Sequence, residues 1–334
     1  MKYLVFSIKL IAILALFGTL NMEYQLQNTA YAKGLSLKIQ PATLQIRATP
    51  PADIHAPFTI ENPGDDPVDL TIVFKRFRDK GDMSGQVVYT SSQLSSDNDS
   101  FFQTVQIVDK NVGIHKITLG PKQKKTLDLE IVALNNDDTQ DHYFSIVFLT
   151  QPEDGTGTTT DESSFSSVQA GIAIPVLVSF NQSAEKNTFI NTFSAPLFLQ
   201  KGPVPFDIQV QNNGSHFTTV QGALLITNMF GQTIGKVEVH PTNILSGSTR
   251  SLNANQASNW STEGDVTNKV IWPEKLLFGF YTARLTLAIL PDQTLYTRSI
   301  HFVAFPVMGI VVVFLAVVLS VFVLIRIKKK MSQE

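Results

Sequence analysis

Cysteine is absent from all 334 residues. That excludes disulfide staples, thiolate zinc centres and a cysteine nucleophile. Secreted animal domains of this size usually carry disulfides, so the absence leans towards a bacterial surface setting. Charge of one sign is lacking too: 26 Lys and Arg stand against 28 Asp and Glu, a formal net charge of -2. Such a balance leaves no electrostatic footprint for nucleic acid, and no nucleic-acid partner is expected. Catalytic signatures are missing as well. Histidines 55, 115, 142, 216, 240 and 301 fall at no HExxH or related spacing, and neither a Gly-x-Ser-x-Gly elbow nor a phosphate-binding glycine loop occurs. The densest acidic loops, Asp97-Asn98-Asp99 and Asn135, Asn136, Asp137, Asp138 with Asp141, do not match the EF-hand pattern. They read as solvated carboxylates. No catalytic residue, cofactor site or metal site is assigned, and the chain is not expected to be an enzyme.

Long apolar runs are confined to the two ends. Val307 to Ile325 reads VMGIVVVFLAVVLSVFVLI, with Ser320 its most polar group. That is enough to cross ~30 Å of hydrocarbon at ~1.5 Å per helical residue. Arg326, Lys328, Lys329 and Lys330 follow directly, which marks the cytoplasmic side by the positive-inside rule. Residues 305–325 are thus expected to form a single membrane span and 326–334 a short basic cytoplasmic tail. At the other end, Lys2 and Lys9 precede the apolar run Leu10 to Leu20, and Ala30-Tyr31-Ala32 has the small-x-small pattern of a signal peptidase site. Residues 1–32 read as a signal peptide; an uncleaved anchor is the alternative. Both place residues 33–304 outside the cytoplasm, on the surface of a cell membrane.

Between these ends the chain reads as strands and turns. Hydrophobic residues make up 43% of it, enough for real cores. Leu35 to Ile46 alternates, broken at Pro41. Val68 to Phe77 follows the turn signal Asn62-Pro63-Gly64-Asp65-Asp66-Pro67 and puts Val68, Leu70, Ile72 and Phe74 on one face. Further strands are expected at Phe102 to Val108, Ile114 to Leu119, Thr126 to Val132, Tyr143 to Leu149 and Val168 to Phe180. Pro175 inside the last of these predicts an edge, or a strand that switches sheets. Lysines 122, 124 and 125 at the Gly120-Pro121 bend are expected to be solvated. Short strands with turns every ~8–12 residues, and no sustained 3.6-residue stripe before the anchor, predict antiparallel β-sandwiches. The expected fold is all-β: two immunoglobulin-like sandwiches, residues 33–183 and 184–304, plus one C-terminal transmembrane helix.

The second half repeats part of the first. Pro203 to Gly214 is a strand running into Asn212-Asn213-Gly214, an echo of Phe58 to Gly64 ending in Asn62-Pro63-Gly64. Convergent turn chemistry explains such an echo equally well. Among the aromatics, Trp272 and Phe280 are expected in the core. Trp260 lies in a polar loop and is a possible interface residue. Gly309, Ala316 and Ser320 fall on roughly one face of the anchor, a possible helix-packing surface.

The layout resembles the WxL-interacting proteins of Gram-positive cell surfaces. The residues that carry the likeness are the Asn-Pro-Gly turn at 62–64, the Gly-Pro-Lys bend at 120–122, the strand Phe278-Gly279-Phe280-Tyr281-Thr282-Ala283-Arg284-Leu285, and the helix with its basic tail. That family's penultimate strand typically begins Pro-Gly-x-Tyr; here Phe278 replaces the proline. The resemblance implies a membrane-distal peptidoglycan-binding sandwich and a second sandwich that binds partner proteins. The apolar strand Gly171 to Val176 also resembles those of pilus-chaperone-like sandwiches. The expected function is non-enzymatic binding of cell-wall polymer or another surface protein, without cofactor. The alternatives are an accessory subunit of a membrane complex and, less favoured, a carbohydrate-active enzyme.

Overall fold

A computed structural model describes residues 36–90, 101–134, 140–150, 170–180, 187–253, 269–290 and 293–331. Trp260, the signal-peptide segment, the loop at 97–99 and residues 135–139 lie outside the described residues.

The first sandwich comprises β1 (Lys38–Gln40), β2 (Leu44–Ala48), β3 (Ala52–Glu61), β4 (Val68–Asp79), β5 (Val87–Tyr89), β6 (Val105–Asp109), β7 (Val112–Gly113), β8 (Lys116–Leu119), β9 (Lys124–Ala133), β10 (Asp141–Thr150) and β11 (Gly171–Phe180). One sheet runs β1-β3-β9-β6-β7; the facing sheet runs β2-β11-β10-β4-β5, with β8 also on β4. The second sandwich comprises β12 (Thr188–Ser194), β13 (Phe198–Leu199), β14 (Val204–Asn212), β15 (Thr218–Asn228), β16 (Thr233–Ile244), β17 (Thr249–Ser251), β18 (Val270–Trp272), β19 (Gly279–Leu290) and β20 (Thr294–Ala304). Its sheets run β12-β14-β17, with β18 on β14, and β13-β20-β19-β15-β16.

The two topologies share a plan, although among the described residues β6 and β7 have no counterpart in the second sandwich. Pro41 ends β1 and sends the chain across to the opposite sheet, where β2 pairs parallel with β11. In the second sandwich β12 and β13 divide in the same way, and β13 pairs parallel with β20. Every other ladder is antiparallel. Alternation makes the cores: β14 buries every second residue along its whole length. One core gathers Phe58, Phe144, Phe148 and Phe180, the other Phe206, Tyr281 and Phe302. Each such ring, fully buried, contributes roughly 1.5–3 kcal/mol.

The Asn-Gly echo is a shared device. Asn62 and Asn212 are each 1% exposed at the end of β3 and β14. In both, the side-chain Oδ1 accepts the amide N–H two residues on, Gly64 or Gly214, at 3.0 Å. In both, Nδ2 donates four residues on, to Asp66 O at 2.7 Å or His216 O at 2.8 Å. It also reaches two successive carbonyls of the opposite sheet, Leu119 and Gly120 or Ile244 and Leu245. One amide thus pins each strand end to the facing layer.

Several local expectations change. Phe102–Thr104 is a 3-10 turn leading into β6, and Phe101 and Phe102 are core residues. Strand β11 is interior rather than an edge; its parallel partner begins at Val176, so Pro175 sits where that side is still bare. Lys122 is solvated as expected, pairing at the surface with Asp65 at 2.9 Å, whereas Lys125 is partly covered and pairs with Asp109 at 2.6 Å. Phe280 is exposed, because the inward positions of β19 belong to Gly279, Tyr281, Ala283, Leu285 and Leu287. After β20, Phe305 and Pro306 lead into α1 (Val307–Met331), which continues as helix through the basic residues.

Candidate functional site: the junction between the sandwiches

The densest polar cluster joins the two sandwiches. Asp141, read from sequence as a loop carboxylate, opens β10 and is 3% exposed. Its Oδ1 lies 2.7 Å from His216 Nδ1. Its Oδ2 accepts the Phe217 N–H and the Tyr143 hydroxyl. Tyr143 in turn accepts the Ser246 N–H at 3.2 Å. Burial, then the charge of Asp141, pushes the Tyr143 hydroxyl well above the usual phenol range, so it stays a donor. Apolar groups close the cluster: Phe77 and Leu177 of the first sandwich pack with Phe217 of the second, and Leu245 lies against them. Arg47 places its guanidinium 4.7 Å from the Phe217 ring centroid, and burial lowers its pKa against the opposing pull of Asp141.

A second set of contacts flanks the first. The Ser251 N–H donates to Met83 O at 2.9 Å, tying the β4–β5 turn to β17. Gly85 in that turn lies against the Arg250 guanidinium: a Cβ there would fall 2.3 Å from Arg250 Nε. Arg250 donates to Asn243 O at 2.8 Å. Burial lowers its pKa, with Asp79 acting in the opposite direction. A cleft of about 180 Å³ between the sandwiches is lined by Phe77, Asp79, Leu177 and Arg250.

Ser179, His216 and Asp141 have the composition of a hydrolytic triad but not its wiring. Ser179 Oγ and Asp141 Oδ1 both address His216 Nδ1, at 2.9 and 2.7 Å. A triad base must offer its other nitrogen to the nucleophile; here Nε2 is buried without a partner, and Ser179 is inaccessible. The arrangement holds a joint and activates no nucleophile. Sequence reasoning missed it because its members come from segments far apart in the chain.

A further cluster lies on the outer face of the first sandwich. His55 on β3 stands opposite Glu130 on β9. Its Nδ1 lies 3.0 Å from Asp128 Oδ2 and 3.6 Å from Glu130 Oε1. Among the described residues these three are the group able to offer converging ligand atoms to a cation. The Asp128 hydrogen bond, first among the causes, raises the His55 pKa, with desolvation opposing. The x-Asp-x-Glu alternation of β9 was visible in sequence; the pairing register that brings His55 to it was not.

The sequence-expected positions fare differently. Trp272 is core, as expected. Gly309, Ala316 and Ser320 all lie exposed on α1, and the Ser320 hydroxyl donates to Ala316 O at 2.8 Å within the helix.

No family model matches the chain, and no curated protein matches its sequence. Solved structures do resemble it. The Pseudomonas aeruginosa CupB2 chaperone is 8% identical over 79% of this chain and 100% of its own, at a TM-score of 0.37. The E. coli chaperone DraB is 10% identical over 80% of this chain and 97% of its own, at 0.36. The Salmonella enterica SafA pilin–SafB chaperone complex contributes a chain 10% identical, covering 81% and 97%, at 0.35.

Proposed function

We propose that this chain is a non-enzymatic binding protein of the bacterial cell surface, anchored by one membrane span, with both sandwiches outside the cytoplasm. The observation that carries the reading is α1. Its stretch Val307–Arg326 is apolar, long enough to span a bilayer and wholly unburied by the rest of the chain. A soluble core helix would have found cover. The basic residues behind it orient the span with its C-terminus inside.

Binding is assigned to the sandwiches because their polar centre is a joint rather than a reaction site. Strand β16 is the outer strand of its sheet among the described residues, and Lys236, Glu238 and His240 face solvent along it. An edge of this kind recruits an extended segment through main-chain hydrogen bonds, with alternate side chains setting specificity. The ligand class is cell-wall polymer or another surface protein, in line with the resemblance to WxL-interacting proteins.

The test uses the full chain in detergent micelles, offered to purified cell walls and separately to solubilised membrane proteins. Retention on bare wall, competed away by soluble wall fragments, is the expected result. Capture of one discrete membrane protein without wall retention would favour the complex-subunit alternative instead.

A further inference from the structure

The membrane-proximal end of the second sandwich exposes an unusual set of apolar side chains. Leu197, Phe230 and Leu276 are each 78–80% exposed, and Phe278, Phe280 and Met229 are about half exposed or more. They come from three separate segments, 197, 229–230 and 276–280, and the sheet register brings these to one end. Phe280 pairs with Val303, and Val303 also pairs with Phe198, next to Leu197. Asn228, just before Met229 and Phe230, pairs with Tyr281. Phe278 and Phe280 lie edge-on to Phe305, at 5.0 and 6.1 Å between ring centroids. Met229 Cε occupies the space that a side chain at Gly279 would need. These contacts surround the point where the chain leaves the sandwich for α1.

The distance to the helix identifies what covers this surface. Only Phe305 and Pro306 separate β20 from the helix, and the Val307 N–H is already bonded to Phe305 O at 2.9 Å. Those two residues span three Cα–Cα steps, at most ~10 Å when extended. The headgroup region on each side of the hydrocarbon is of similar depth, ~5–10 Å. A sandwich tethered this closely cannot hold its apolar end clear of the lipid. The neighbouring chain is suited to the boundary: the Gly202 N–H donates to Lys275 O, which sets Lys201 and Lys275 beside the apolar cluster. The rim is of mixed charge, since the Glu274 carboxylate accepts from the Lys275 and Leu276 amides. Aromatic and aliphatic tips with lysines beside them are a composition that inserts between lipid headgroups.

We infer that this end of the second sandwich is a lipid-docking surface: Phe230, Leu276 and Phe278 insert at the headgroup–acyl boundary and set the standing of the ectodomain on the bilayer. The inference rests on α1 being a membrane span.

The absence of cysteine makes the test clean. Full-length F230C, L276C and F278C, each labelled with an environment-sensitive fluorophore, are reconstituted into vesicles of phosphatidylcholine and phosphatidylglycerol. L315C in the helix and V112C on the far sandwich serve as references. Docking predicts blue-shifted emission and quenching by shallow spin-labelled lipid at 230, 276 and 278, deeper quenching at 315 and none at 112. Lipid burial at 315 with aqueous spectra at all three tip sites would overturn the docking surface and leave the anchor standing. Tip sites that are aqueous in vesicles but shielded in native membranes would also overturn it, in favour of a protein cover. An aqueous probe at 315 would remove the anchor and the inference together. The three tip positions are surface sites, so a fold defect in one, seen by circular dichroism, leaves two to decide.

Discussion

The Asp141 carboxylate faces His216 Nδ1 at 2.7 Å across the junction, with side chains only 3% and 10% exposed. It also accepts the Phe217 amide and the Tyr143 hydroxyl, so one residue of the first sandwich organises the start of β15 in the second. Removing it leaves an amide and a phenol buried without their acceptor, and leaves the imidazole with Ser179 Oγ alone at Nδ1. Asp141→Ala is expected to destabilise the two-sandwich unit by about 3–5 kcal/mol, the usual cost of breaking a buried pair. Urea unfolding followed by tryptophan fluorescence (Trp260 and Trp272), alongside far-UV circular dichroism, checks this. With the joint gone, the sandwiches are expected to unfold in two separate transitions rather than one. A coincident transition at unchanged midpoint would mean that the junction contributes nothing.

Asn62 and Asn212 perform the same task in different sandwiches, so their loss should look alike. Asn62→Ala and Asn212→Ala each strip donors from three carbonyls and an acceptor from a glycine amide. Each is expected to cost about 2–4 kcal/mol, from several modest bonds plus unsatisfied buried groups. Replacement by Asp should cost more than replacement by Ala, since a carboxylate would face carbonyl oxygens. Thermal denaturation of the single variants measures both. A large effect at one position and none at the other would show that the shared geometry is not a shared device.

That pair also shows what was legible in the chain. The alternation of β4, β9, β14 and β19 and the Asn-x-Gly ends were readable because a strand's inward and outward faces repeat every two residues. What sits opposite a strand's end is decided by partners far along the chain, and there the reading failed. Asp141 looks like the rim of a polar loop until His216, 75 residues later, covers it. Phe280 looks like core until the register shows Gly279 and Tyr281 taking the inward positions of β19. The His55 cluster needs the β3–β9 register, and the parallel β2–β11 pairing leaves no local sign at all. The proposed docking surface combines the two kinds of information: apolar residues visible singly in sequence, assembled by pairing that is not.

Close backbone approach makes a separate, sharper prediction. A Cβ at Gly222 on β15 would fall 2.0 Å from Thr286 O and 3.0 Å from Leu287 Cα on β19. Both are main-chain atoms of the neighbouring strand, so neither can swing aside. Gly222→Ala is expected to cost about 3 kcal/mol or more, as overpacking and ladder distortion combine. Gly231 in the β15–β16 turn has φ +77° and open space around it, so Gly231→Ala should cost only about 1 kcal/mol, from conformation alone. Denaturant midpoints of the two variants give the contrast directly. Equal losses would mean that the approach at Gly222 relaxes freely.

His55 supplies the pH prediction. Its pKa is raised, first by the Asp128 hydrogen bond and then by the charges of Asp128, Asp53 and Glu130, with desolvation opposing. A base whose folded pKa exceeds its unfolded value stabilises the fold while it is protonated. That contribution is fully present below the unfolded pKa, near ~6.5, and is lost as pH rises through the higher folded value. The wild-type chain should therefore lose part of its thermal stability above pH ~6.5, and His55→Gln should flatten that part of the profile. The effect is expected to be small because the ring is half exposed, and added salt should weaken it. Melting temperatures of both proteins at pH 5.5 and pH 8, at low and high ionic strength, decide the matter. A wild-type profile that His55→Gln reproduces unchanged would place the titrating group elsewhere.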